Sequence, residues 1–478
     1  MVYDVAIIGA GVVGALTARA LSRYNVSICL IEKEDDVAMG TTAANSAIVH
    51  AGFDAEPHTL KAILNREGSM MMEQVAKELD VEYKNNGALV LCLEEELYPK
   101  LKALYERGIE NGIERLSIIS GLEARALEPN LSKEVYAALY AKTSAIVGPY
   151  ELAIAASENA ADNGTTVMLG TAVEAIDYSK GIFSISTEKG TIECRYIVNA
   201  AGVYADSIAS MIGDNSFHIR ARRGEYMLMD KSAGTLVKHT IFQLPNALSK
   251  GILVTPTVEH NLLVGPTAED VDDKESKATT SEGIGHVLEQ TKRILPDLNF
   301  RDVITSFAGL RATLVPKGDF IIEASHVHSH FINVAGIESP GLSAAPAIAE
   351  YAVKILRAQG LKLSKNSEFN PIRRPVKRFV NMNEAKLKAA CAENPLYAKI
   401  ICRCEKVSEA EIVDVIHRNV GARTLDGVKR RTRAGMGRCQ GGFCGPSVVD
   451  ILARELGVTQ DKITKKGKDS WILTGRSK

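Results

Sequence analysis

The stretch that most constrains this chain is its first strand and the loop after it, Val5-Ala6-Ile7-Ile8-Gly9-Ala10-Gly11-Val12-Val13-Gly14, taken together with Glu32. Four apolar residues in a row mark a strand buried on both faces, and the three glycines fall at G-x-G-x-x-G spacing. The pattern predicts a helix over residues 15–24 and a second apolar strand over 26–31 that ends in Glu32. Gly9 serves the tight turn, Gly11 the approach of backbone to a pyrophosphate, and Gly14 the close packing of helix on strand. The helix start presents N–H groups that its own turns leave unpaired, which attract phosphate. The Glu32 carboxylate can accept hydrogen bonds from both hydroxyls of a ribose. Strand, loop, helix, strand and acid arrive in the order that dinucleotide binding requires, which a bare glycine-rich turn does not need.

At 478 residues the chain is long for one domain, and 46% hydrophobic residues suffice for a large core. The formal net charge of −1 gives no global attraction to nucleic acid or an acidic membrane surface. The sequence holds neither an apolar run that would span a bilayer nor a leading basic segment with a cleavage site, so the expected location is cytoplasmic. Of the eight cysteines, Cys29, Cys92, Cys194 and Cys391 are scattered singly and read as reduced core thiols. Cys402, Cys404, Cys439 and Cys444 crowd into one segment, which suits a metal site and not a disulfide framework.

Further along, Met39 to Ser46 supplies small hydroxyl residues directly after the ribose acid and leads to His50-Ala51-Gly52. His50 is read either as a satisfied core histidine or as a group delivered to a cofactor ring. A helix is expected over 60–79, with Met70, Met71 and Met72 as apolar filling, then a strand over 83–93 and a charged, solvated helix over 94–111. A helix over 151–163 precedes strands at 165–169, 172–177, 182–187, 191–193 and 196–199, the last running into Asn199-Ala200-Ala201-Gly202. Residues 220–312 alternate in short strands with Gly and Pro turns, as in an inserted mixed or antiparallel sheet. Ser306 to Arg311 is expected to return the chain to the first domain. Arg311 stands amid apolar and small residues, as a structural ion pair or as an anchor for a carboxylate or phosphate. A last strand over 331–336, the loop 338–343 and an Ala-rich helix over 344–359 form a second anion-binding helix start. The basic run Arg373, Arg374, Lys377 and Arg378 lies in a linker and reads as a solvated face or an interdomain contact.

The glycine loop with Glu32, the Asn199 to Gly202 segment, Gly309-Leu310-Arg311, and Gly336 with Gly341-Leu342 resemble the FAD-dependent D-amino-acid-oxidase-like superfamily over residues 1–358. That superfamily includes glycerol-3-phosphate dehydrogenases and L-2-hydroxyglutarate oxidases. Cys402-Arg403-Cys404-Glu405 and the run from Arg430 to Cys444 resemble the bacterioferritin-associated-ferredoxin-like [2Fe–2S] module, in the version that ends the catalytic subunit of anaerobic glycerol-3-phosphate dehydrogenases. C-x-C, thirty-four residues and C-x-x-x-x-C supply four thiolates, the number such a cluster takes, whereas a structural zinc site more often uses C-x-x-C pairs. The neighbouring arginines are expected to lower the thiolate pKa values and offset the cluster's charge. Two departures stand out. His50-Ala51-Gly52 is closer to the hydroxyglutarate enzymes, with Phe53-Asp54 where the glycerol-phosphate enzymes carry a basic residue, and a basic tail runs from Lys462 to Lys478.

The fold implied is α/β: a Rossmann-like FAD domain (1–80, 145–215 and 306–360) and an inserted mixed-sheet substrate domain (81–144 and 216–305). A linker (361–397), a small, mainly helical [2Fe–2S] domain (398–457) and the tail (458–478) follow. For FAD the resemblance implies Gly9, Gly11, Gly14, Glu32, Thr41, Thr42, Asn45, Ser46, Val173, Ala201, Gly202, Gly309, Gly336, Gly341 and Leu342. It implies His50 as the base that takes a hydroxyl proton while hydride passes to flavin, Arg311 as the group that holds the substrate anion over the ring, and Lys317 as a second anchor. The four cysteines would hold the cluster. The expected reaction is oxidation of sn-glycerol 3-phosphate to dihydroxyacetone phosphate, with electrons leaving through the cluster to a quinone, a carrier protein or a partner subunit. An L-2-hydroxy-acid or amino-acid dehydrogenase is the alternative on the same scaffold, and a non-catalytic electron-transfer subunit the alternative from another class. No nucleic-acid partner and no transmembrane segment are expected; a peripheral membrane contact is compatible with a quinone acceptor.

Overall fold

In the computed structural model, which describes residues 1–244 and 251–475, the first strand (Val2–Ile8) lies inside an eight-stranded sheet. It pairs in parallel with Ile28–Ile31 on one side and with Gly190–Asn199 on the other. Thr166–Met168 and Phe331–Ala335 extend this parallel set at its two edges. Val5 and Ile7 point into one core, where the helices Val12–Leu21, Pro149–Asp162 and Gly341–Ala358 pack. Ala6 and Ile8 point into the other, around Phe183 and Phe331. The strand is thus buried on both faces, as its unbroken apolar run requires.

The second sheet has nine strands and is mixed, mostly antiparallel. Its longest ladder joins Ile219–Met229 to Val303–Leu314, antiparallel from Ile219 against Leu314 to Met229 against Val303. This corrects the expected return of the chain at Ser306. Gly309, Leu310 and Arg311 belong to the second sheet, because leaving it there would break a ladder that continues to Leu314. The chain rejoins the first sheet at Ile321–Ala324 and Phe331–Ala335.

Other differences are local. The single strand expected over 83–93 is two, divided at Gly87 (φ +70°). Tyr83–Lys84 joins a small sheet with Ile48–Val49 and Ala145–Val147, and Ala88–Cys92 joins the second sheet. Met72 is buried but Met70 is exposed, since the helix Leu60–Glu78 shows the core one face only. The stretch 361–397 carries the helix Glu384–Glu393. Arg373 and Arg378 in it are interdomain contacts, donating to Glu158 Oε2 (2.6 Å) and Glu151 Oε1 (3.0 Å), while Arg374 and Lys377 stay exposed.

The C-terminal module is a two-stranded hairpin (Ile400–Cys402 and Val407–Ser408) and the helices Glu409–Ile416, Leu425–Thr432 and Gly445–Leu456. Ile412, Val415, Val428, Val448 and Leu452 form its core. Ser408 and Glu411 close a reciprocal capping box at the start of the first of these helices. The basic tail folds back on the first domain, where the Lys468 N–H donates to Asp35 Oδ2 (2.9 Å); its last three residues lie outside the described residues. Among the described residues no helix is long and apolar enough to cross a membrane.

Candidate active site and cluster site

The glycine loop is shaped by backbone contacts that exclude side chains. Gly9 has φ +103°, and a Cβ there would lie 2.5 Å from the Ala200 carbonyl oxygen. A Cβ on Gly14 would lie 1.9 Å from the Gly9 oxygen, so strand and helix touch at backbone distance. A Cβ on Gly11 would meet only the Thr42 hydroxyl, at 3.2 Å, which leaves the backbone there open to a ligand. That hydroxyl accepts from the Val12 N–H (3.0 Å) at the helix start. Glu32 Oε2 accepts from the Ala10 N–H (2.8 Å) and Oε1 from the Glu34 N–H (3.0 Å), so the acid pins the loop it serves. Burial pushes its carboxyl above the ordinary range, against the pull of those two N–H groups.

The segment after Glu32 is fastened to the second sheet. Thr41 Oγ1 donates to the Leu310 carbonyl (2.5 Å), and a Cβ on Gly309 would fall 2.0 Å from the Ala44 oxygen. Asn45 donates to the Thr42 carbonyl (3.1 Å) and accepts from the Ala47 N–H (2.8 Å). Ser46 meets the Tyr226 hydroxyl at 3.1 Å, and the Tyr226 ring stacks on Phe307. The polar side-chain atoms of Thr41 and Asn45 thus hold the loop in place along the cavity.

These residues line one cavity of about 1740 Å³ between the two sheets. Glu32, Thr42, Val173, Ala201, Gly202, Gly341 and Leu342 share it with His50, Arg311 and Lys317. Gly14 and Gly336 stand behind its wall; Gly336, with φ +65°, turns the chain beside Leu314. The open backbone at Gly11, the acid at Glu32 and the length of the cavity fit FAD.

His50 packs against Phe53 (4.4 Å between ring centroids) and Phe242 (5.9 Å). Its Nδ1 accepts from the Gly52 N–H (3.0 Å), which assigns the hydrogen of the neutral ring to Nε2. Arg311 donates to the Thr267 carbonyl (3.2 Å) and meets no carboxylate among the described residues. A Cβ on Gly224 would lie 2.7 Å from Arg311 Nη2, so the glycine on the facing strand makes room for the guanidinium. Lys317 is exposed at the rim. Sequence reasoning missed two cavity groups. Lys61 Nζ reaches Glu338 Oε1 (2.9 Å), whose other oxygen accepts from Thr313 (2.9 Å), and Ser343 Oγ accepts from the His50 N–H (2.7 Å). Only Ser343 carried a sequence signal, as a hydroxyl at the start of the late helix.

In the module, Cys404 Sγ and Cys439 Sγ are 3.8 Å apart, while Cys402 and Cys444 are both buried. One cysteine of the first motif thus stands beside one of the second, and four thiols are the donor set that a two-iron cluster takes. The Cys402 thiol is lowered to about 6, first by the Cys444 thiol and then by the Gly435 and Glu405 N–H groups. The arginines of the run from 430 to 438 are paired with carboxylates, whereas Arg403 stays exposed beside Cys404. Arg430 and Arg431 bind Asp36, Arg433 binds Glu405 and Asn261, and Arg438 lies 3.2 Å from Asp230.

A parallel sheet with a glycine loop at a helix start, an acid at the end of the next strand and a large cavity under a second sheet is the arrangement of an FAD-dependent oxidoreductase. Residues 4–355 match the family described as FAD dependent oxidoreductase (DAO), and the chain belongs to it. Residues 400–454 match the BFD-like [2Fe-2S] binding domain. Over 476 residues the chain is 50% identical to a glycerol 3-phosphate dehydrogenase of Caloramator mitchellensis, covering 100% of this chain and 99% of the relative. The dithionite-reduced L-alpha-glycerophosphate oxidase of Mycoplasma pneumoniae, with FAD bound, superposes with a TM-score of 0.75 at 32% identity, over 78% of this chain and 98% of its own. Human mitochondrial L-2-hydroxyglutarate dehydrogenase is 26% identical over 404 residues, 73% of this chain and 87% of the relative. The cofactors are FAD and a [2Fe–2S] cluster.

Proposed function

We propose that the protein oxidises sn-glycerol 3-phosphate to dihydroxyacetone phosphate and discharges the electrons through its own [2Fe–2S] cluster. The observation that carries this reading is Arg311, a guanidinium that meets no carboxylate among the described residues, inside the cavity that the glycine loop and Glu32 line. Whole-length similarity to a glycerol 3-phosphate dehydrogenase, cluster domain included, supports it.

Bound FAD supplies a two-electron acceptor for the substrate's C–H bond. The chain does the rest. Arg311, held by Thr267 and given space by Gly224, takes the phosphate through two parallel hydrogen bonds, with Lys317 as a second cation at the rim. Fixing the anion places the reacting carbon, an effect worth orders of magnitude in rate. His50 addresses the substrate hydroxyl. With Gly52 on Nδ1 the ring donates from Nε2; to take the hydroxyl proton at Nε2 instead, it needs Gly52 to hand its N–H to Asn65. With its amide turned, Asn65 accepts that N–H at 3.1 Å and donates to the His50 carbonyl at 3.2 Å.

The His50-Ala51-Gly52 segment and the hydroxyglutarate relative favour a second reading, an L-2-hydroxy-acid dehydrogenase with a carboxylate on Arg311. Anaerobic titration of the purified holoprotein separates the two. Flavin bleaching by glycerol 3-phosphate and not by L-2-hydroxyglutarate is expected, and the reverse result moves the substrate to the hydroxy acid.

A further inference from the structure

The cysteine loop has two faces. On the inner one, Met436 and Gln440 line the FAD cavity, and the Tyr150 hydroxyl donates to Met436 Sδ at 3.6 Å. On the outer one, Phe443 is 88% exposed beside the buried Cys444. Cys404 is exposed and lies between exposed Arg403 and, two residues on, exposed Lys406. The two halves of the site are held together closely: a Cβ on Gly437 would fall 2.3 Å from the Cys404 Cβ. Arg418, Arg430, Arg431, Arg433 and Arg438 of the module pair with carboxylates of the first two domains, whereas Arg403 and Lys406 pair with no carboxylate among the described residues.

A phenyl ring left in water beside a redox centre is a cost that a covering partner removes. Aromatic residues supply interface anchors, and a rim of one charge steers a partner of the other. We propose that Phe443, with Arg403 and Lys406, is the docking site of a small acidic one-electron carrier protein, so that electrons enter the loop from the cavity side and leave at this tip. The proposal deepens the functional reading above and rests on it. The balance is simple. Oxidation of one alcohol to the carbonyl releases two electrons and two protons; two oxidised carriers each take one electron, and both protons go to solvent.

The test uses holoprotein and oxidised acidic carriers, a small [2Fe–2S] ferredoxin and a flavodoxin, with binding measured by calorimetry at low and high salt. The wild-type protein is expected to bind a carrier more weakly as salt rises, and Phe443→Ser and Lys406→Glu each to raise Kd about tenfold or more. Iron and labile-sulfide content and flavin bleaching by substrate are expected to stay as in the wild type. The proposal is overturned if the wild type binds neither carrier, or if both variants bind as the wild type does. It is also overturned if Phe443→Ser abolishes binding to anionic vesicles while carrier binding is unchanged, which would mean a membrane-borne acceptor. Failure of glycerol 3-phosphate to bleach the flavin, read before any carrier is added, strikes the functional reading itself.

Discussion

Asp36 and Arg431, 395 residues apart in sequence, form a buried two-pronged pair, with Oδ1 accepting from Nη2 and Oδ2 from Nη1, each at 2.7 Å. Arg430 adds a third bond to Oδ2 at 2.6 Å. Asp36 lies four residues beyond Glu32, so the cluster module is fastened to the segment that lines the cavity after the second strand.

Replacing Asp36 with Asn leaves Arg431 and Arg430 buried without their counter-charge. Removing one partner of a buried pair costs about 3–5 kcal/mol, read here as a lowered midpoint in urea unfolding. Burial alone would raise the Asp36 carboxyl, but Arg431 and then Arg430 outweigh it and hold the pKa below the ordinary value. A carboxyl lowered in the folded state stabilises above its unfolded value of about 3.9 and loses that stability as pH falls through the folded value. The wild type should therefore lose more stability than D36N does as pH falls below about 4.

Arg311→Ala should raise KM for glycerol 3-phosphate about tenfold to a hundredfold, the worth of a charged hydrogen bond, with FAD still bound. Steady-state kinetics and the visible spectrum check both halves. An unchanged KM removes Arg311 from substrate binding.

His50→Asn should slow anaerobic flavin reduction about 10²–10⁴-fold, the span of a proton-transfer group. Substrate Kd should change little if, as proposed, Arg311 holds the anion. Stopped-flow absorbance at saturating substrate separates rate from affinity, and wild-type reduction in the variant would return His50 to a packing role against Phe53 and Phe242.

The glycines differ in a testable way. Gly14→Ala drives a methyl into the Gly9 carbonyl and should cost about 1–3 kcal/mol of stability, whether or not FAD is present. Gly11→Ala meets only a hydroxyl and should leave the apoprotein's stability unchanged while weakening FAD binding. Thermal melts with and without added FAD distinguish them.

The glycine loop, Glu32 and the four cysteines were legible in the sequence because their constraints are local. A turn that admits no Cβ, an apolar run of strand length and thiols at fixed spacing are all written within a few residues. The chain's membership of the flavoprotein class followed from those windows. The tertiary structure alone decided the rest. The long ladder between Ile219–Met229 and Val303–Leu314 moved Gly309 and Arg311 into the second sheet and set Gly224 beneath the guanidinium. The packing of the module on the first two domains made arginines of the 430 to 438 run partners of Asp36, Glu259 and Asp230. Strand partners and ion pairs are chosen among residues hundreds of positions apart, by burial and by the cost of leaving a charge or an N–H unpaired, and no short window of sequence records that choice.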